Sequence, residues 1–112
     1  MSELAQKSCI PCRGDASPLQ GAALKDLLSQ LEAGWEVVDN HHLSRTFAFP
    51  DFARALAYVN TLGAIAEKEG HHPDLLLRWG SVRMDIWTHT IDGLTESDFI
   101  LAAKASVAYA SH

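Results

Sequence analysis

Between Trp35 and Phe49, in WEVVDNHHLSRTFAF, the hydrophobic pattern leaves the helical period and takes up alternation. Leu43, Arg45, Phe47 and Phe49 fall on one side, and His42, Ser44, Thr46 and Ala48 on the other. A period of two belongs to a strand with one face on a core. Asp39-Asn40 supplies turn chemistry between two such strands. A hairpin here obliges the flanking segments to provide its cover.

Those segments carry the helical period. Ser17-Pro18 reads as an N-cap followed by a first-turn proline, Leu24, Leu27, Leu28 and Leu31 follow at helical spacing, and Gly34 is a natural stop. Asp51 opens a second helix with Phe52, Leu56, Val59, Leu62 and Ala66 on one stripe, ended by Gly70 and Pro73. A second hairpin fits LLLRW and SVRMDIWTHTI, turning at Gly80-Ser81. Its Val82, Met84 and Ile86 share one face, while Arg83, Asp85, Trp87 and His89 share the other. Thr95 starts TESDFILAAKASVAYA, whose alanines favour a helix. The order helix, two strands, helix, two strands, helix predicts an α+β two-layer sandwich, a four-stranded antiparallel sheet with three helices on one face. The other sheet face is left for solvent, ligand or another subunit. An N-terminal arm over 1–16 and a single domain over 17–112 are expected.

At 112 residues the chain suits one modest core, and a formal net charge of −5 opposes a nucleic-acid-binding surface. It has no apolar run of the ~18 residues that span a bilayer. MSELAQKSCIPCRG has no hydrophobic signal region, so a cytoplasmic location is expected. Cys9 and Cys12 form a C-x-x-C pair. Neither a second ligand pair at zinc spacing nor a preceding strand accompanies it, so reduced structural thiols are expected.

The chemistry concentrates in EKEGHHPD, residues 67–74. Glu67 and His71 are four apart, so a helix continuing through 71 would bring them together, and a carboxylate fixes an imidazole's orientation. His72 precedes Pro73, which biases its backbone toward extended geometry and turns the two rings apart. His89 is expected on the polar side of its strand. Asp98 completes a capping box with Thr95, and its second oxygen leaves it free to orient a nearby histidine. His41 and His42 stand at a turn-to-strand junction without a spaced carboxylate partner, and no catalytic role is expected of them.

With these residues in view, the sequence resembles the pterin-4a-carbinolamine dehydratase family from about Leu24 to Ala108. The matching positions are Glu67, His71-His72-Pro73, Trp79, His89 and Asp98, with THTIDGLTESD and Gly34-Trp35 around them. The resemblance implies dehydration of a 4a-hydroxytetrahydropterin to the quinonoid dihydropterin, with neither metal nor organic cofactor. It implies His71, His72 and His89 as catalytic histidines, and Glu67, Pro73, Thr88 and Asp98 as binding or orienting residues. It further implies a homodimer or homotetramer and a functional link to an aromatic amino-acid hydroxylase. Leu75 departs from the family, standing where many members have tryptophan, and is expected to bear on the pocket rim, the substrate or a subunit contact. Two other readings compete. One is a non-catalytic dehydratase-like binding module acting as an assembly factor or transcriptional coactivator. The other is a metal hydrolase using the histidines and Asp98 as ligands.

Overall fold

A computed structural model describes residues 3–9 and 17–112. Its helices are α1 (Ala22–Ser29), α2 (Phe52–Glu69) and α3 (Glu96–Tyr109), and its strands are β1 (Glu36–Val38), β2 (His42–Ala48), β3 (Asp74–Arg78) and β4 (Ser81–Ile86). The strands form one antiparallel sheet in the order β1-β2-β4-β3. The α+β architecture follows the hydrophobic periods.

Alternation decides which face is buried. Leu43, Phe47, Val82, Met84 and Ile86 enter the core, and the register places Leu43 opposite Ile86 and Phe47 opposite Val82. Leu75 pairs with Met84 and packs against this core, so its side chain belongs to the inner layer. Asp39 and Asn40 turn the first hairpin with φ of 53° and 54°, the left-handed geometry a tight hairpin demands. The second hairpin turns at Trp79-Gly80, because Arg78 already pairs with Ser81.

Three helix details differ from the sequence expectation. α1 begins at Ala22, since Pro18 abuts Gly93 and the Leu19 N–H donates to the Leu94 carbonyl at 2.8 Å. It ends at Ser29, and Gly34, at φ 109°, shapes the entry to β1 instead. α2 starts at its Asp51 cap as expected, but the buried stripe is Ala55, Tyr58, Leu62 and Ala66. Phe52 and Leu56 remain more than 40% exposed. Tyr58 sets this phase: its ring meets Phe47, Phe49 and Tyr109, and its hydroxyl donates to the Ala105 carbonyl at 2.6 Å.

α3 is covered on several sides. Nine of its residues, from Ser97 to Ser106, are buried. α2, β2 and α1 pack on it, and so does the N-terminal 3-10 turn Leu4–Gln6. Leu4 is buried there, and Lys104 Nζ donates to the Ala5 carbonyl at 2.7 Å. Beneath α3, Ser106 Oγ receives both Trp35 Nε1 at 2.8 Å and Arg45 at 3.0 Å.

Candidate active site

The site forms where α2 stops and α3 starts. Gly70, at φ 65°, is the left-handed cap that ends α2 at Glu69. His71 therefore leaves the helix surface on which Glu67 sits. Its Nε2 lies 2.5 Å from Asp98 Oδ1, so Asp98 takes the place expected for Glu67. Asp98 is fully buried at the third position of α3, where the helix dipole favours a carboxylate.

The other Asp98 oxygen is occupied as well. Oδ2 accepts the Thr95 N–H at 2.8 Å, closing the capping box, and the Thr88 hydroxyl at 2.9 Å. One buried carboxylate thus ties together the end of α2, the segment after β4 and the first turn of α3. Because Asp98 accepts from His71, Nε2 carries a proton, and among the described residues no hydrogen bond reaches Nδ1.

Glu67 pairs with His72 instead, Oε2 to Nε2 at 2.5 Å. This pair is open to solvent, with side-chain exposures of 61% for His72 and 79% for Glu67. Pro73 follows directly and leads the chain into β3. His89 is exposed and begins a 3-10 turn, His89–Ile91, rather than sitting in the strand as expected. Thr88 anchors that turn through a bridge to Gly93, with its N–H donating to the Gly93 carbonyl at 2.8 Å. Trp79 lies at the tip of the second hairpin, a strand length from His72, and is 69% exposed.

Two features escaped the sequence reading. His41 and His42 do have carboxylate partners: His41 Nε2 is 2.6 Å from Asp92 Oδ1, and His42 Nε2 is 3.9 Å from Asp85 Oδ1. The partner of His41 is 51 residues away, beyond any local spacing rule. The second is Trp87, whose ring touches His41, His42 and His89. Its place between Asp85 and His89 in the alternating run was the one available signal.

Cys9 is near the site without entering it. Its thiol donates to the Ser97 carbonyl at 3.5 Å and its N–H to Glu69 Oε1 at 2.9 Å. Burial, reinforced by the Glu69 charge and opposed by Lys104, pushes the thiol up to about 12. Cys12 lies outside the described residues. Among the described residues, no group of three or more His, Cys, Asp or Glu side chains converges in a metal-binding arrangement. None of the helices in these residues is long and apolar enough to cross a membrane.

The family model described as pterin 4 alpha carbinolamine dehydratase matches residues 17–108. A relative from Alkaliphilus metalliredigens (strain QYMF) is 53% identical over 104 residues, covering 93% of this chain and 94% of the relative. One from Rubrobacter xylanophilus (strain DSM 9941 / JCM 11954 / NBRC 16129 / PRD-1) is 55% identical over 104 residues, covering 93% and 96%. Both carry provisional names as pterin-4-alpha-carbinolamine dehydratases. Among solved structures, a transcriptional coactivator/pterin dehydratase from Brucella melitensis aligns with a TM-score of 0.76 at 30% identity, over 81% of this chain and 97% of that one. A pterin dehydratase-like protein identified as a RuBisCO assembly factor in the alpha-carboxysome shares the fold, with a TM-score of 0.59 at 23% identity, over 68% and 89%.

Proposed function

Because this chain belongs to the pterin-4a-carbinolamine dehydratase family, we propose that it removes water from a 4a-hydroxytetrahydropterin to give the quinonoid dihydropterin. The observation that carries this reading is the His71–Asp98 pair, an imidazole that a buried carboxylate holds and whose other nitrogen takes no hydrogen bond among the described residues. Such a pair stabilises the imidazolium that forms when His71 takes a proton.

Loss of the 4a-hydroxyl breaks a C–O bond whose leaving group is hydroxide, so a proton must reach that oxygen as the bond breaks. A ring nitrogen lone pair drives the departure, and a ring proton must then be removed to leave the neutral product. His71 is the base in this scheme, and His72 or His89 supplies the proton that completes the water. Glu67 orients His72, Asp98 and Thr88 hold the segments on which His71 and His89 stand, and Pro73 fixes the exit from the site into β3. Positioned acid–base groups are worth about 10²–10⁴-fold each.

The reading calls for neither metal nor organic cofactor, places the protein in the cytoplasm as a homodimer or homotetramer, and makes a pterin-dependent aromatic amino-acid hydroxylase the source of its substrate. The test is the breakdown of a 4a-hydroxytetrahydropterin with and without the protein, repeated with His71→Ala, His72→Ala and His89→Ala. Acceleration by the wild type and a loss of at least about tenfold in one or more variants are expected. Wild-type kcat in all three variants would sink the assignment.

A second reading keeps the fold and drops the catalysis, making the chain a binding module for a protein partner, as an assembly factor or coactivator. Exposed Trp79 and Leu76, together with the coactivator half of the Brucella protein's description, favour it. It predicts no acceleration of dehydration and stable co-purification of a defined protein.

A further inference from the structure

His71 and His72 each have a carboxylate on one ring nitrogen. His89 does not: among the described residues, no hydrogen bond reaches its ring. The Thr88–Gly93 bridge and the left-handed Asp92, at φ 51°, fix its backbone but not its side-chain torsions. An exposed imidazole left to itself samples several staggered rotamers. A general acid needs its nitrogen held at hydrogen-bonding distance from the oxygen it protonates.

Trp87 does for His89 what the carboxylates do for the other two. The rings meet edge to face at a centroid distance of 4.4 Å, with planes 85° apart. That arrangement is favoured between aromatic rings. The indole is itself held from the opposite strand. His41 lies 5.3 Å from it and His42 lies 5.8 Å away. These two histidines are joined Nδ1 to Nδ1 at 3.1 Å, and Asp92 holds the outer nitrogen of His41 at 2.6 Å. A second histidine pair, unused by the proposed chemistry, thereby backs the only ring contact that reaches His89 among the described residues.

We propose that Trp87 is a positioning residue for His89, seated by the His41–His42 pair, and that it sets the rate of the step His89 serves. The proposal rests on the dehydratase reading given above. It extends the site from the α2–α3 junction across β4 to the start of β2.

The experiment compares Trp87→Ala, Trp87→Phe and His42→Gln with the wild type, by dehydration kinetics and by NMR of the His89 side chain. Trp87→Ala should lower kcat by roughly tenfold or more while KM moves by less than about twofold, because misplacing an acid weakens the transition state rather than binding. Trp87→Phe keeps a ring in place and should restore most of the rate, and His42→Gln should show a partial loss. His89 should pass from one dominant χ1 rotamer in the wild type to an averaged set in Trp87→Ala. Unchanged kcat in Trp87→Ala, or a loss confined to KM, overturns the proposal. Should Trp87→Ala not fold, the other two variants decide. Wild-type kcat and an unaltered His89 rotamer in both overturn it, and a reduced kcat with an altered rotamer in His42→Gln supports it. Should the wild type fail to dehydrate the pterin, the functional reading falls alone, and the rotamer populations still decide whether Trp87 positions His89.

Discussion

His71 and Asp98 are 27 residues apart in sequence and 2.5 Å apart at Nε2 and Oδ1. The same carboxylate closes the capping box of α3, so a helix cap and the orientation of an imidazole share one side chain. Replacing Asp98 by Asn separates the two roles. The amide oxygen still serves Thr95 and Thr88, but the NH₂ group now faces His71 and drives its proton to Nδ1. We expect kcat to fall by about 10²-fold or more in Asp98→Asn, as expected when an imidazole is held in the wrong tautomer. Thermal unfolding should show a smaller loss than in Asp98→Ala, which removes the acceptor of three hydrogen bonds and costs about 3 kcal/mol.

Glu67 should behave differently. Its pair with His72 is solvent-exposed on both sides, so Glu67→Gln should change stability by no more than about 0.5 kcal/mol. Its effect on kcat should be smaller than that of Asp98→Asn. Steady-state kinetics of the two variants side by side provide the check, and equal losses would contradict the division of roles.

The contrast shows where the sequence could be read and where it could not. Spacing showed the capping box and both hairpins and singled out the candidate histidines, because each is a local pattern. It paired Glu67 with His71 because a four-residue step on a helix brings side chains together. Gly70 breaks that premise by ending the helix at Glu69. The partner of His71 sits on another element, and no periodicity encodes a contact of that range. On α2, Leu62 and Ala66 are buried as expected, and only the first half of the stripe was misphased, for a related reason. Phe52 and Leu56 have the larger apolar side chains, yet Ala55 and Tyr58 face the core because Tyr58 anchors the helix to Ala105 of α3.

The Asp39-Asn40 turn, which leads into His41, offers a test of stability rather than of chemistry. Both residues hold positive φ, where a side chain costs free energy that glycine avoids. Asn40→Gly should therefore stabilise the protein by about 0.5 kcal/mol, and Asn40→Val should destabilise it by about 1 kcal/mol or more. Chemical denaturation of the two variants should move the midpoint in opposite directions.

Burial, partial for Cys9 and complete for Tyr58, raises two groups that titrate in alkali. The Cys9 thiol is raised from its ordinary 9.0 to about 12, first by burial and then by Glu69, and burial also raises the Tyr58 hydroxyl against the pull of Arg45. In both, the native state keeps a proton that the unfolded chain releases first. Their contribution to stability is therefore complete below about pH 9 and declines as pH rises toward 12. Urea midpoints at pH 8, 9.5 and 11 should fall in that order, with a shallower decline in Tyr58→Phe. At pH 8, native Cys9 should alkylate far more slowly than in urea, measured by peptide mass spectrometry.

Chelator treatment tests the acid–base scheme against the metal-hydrolase reading. Protein dialysed against EDTA and assayed in metal-free buffer should keep its full kcat. Loss of activity restored by a divalent cation would favour the hydrolase.

The position of α3 bears on how the protein is made. It is the last helix in the sequence, yet it is the layer on which α1, α2, β2 and Leu4 all close. During synthesis α2 can close on β3 and β4 as they emerge, but the sides of α2 and β2 that pack on α3 stay uncovered until that helix follows. The core is therefore completed only when α3 joins it, and the domain folds as one unit. Leu4 precedes α3 by some ninety residues and is buried only once that helix is in place.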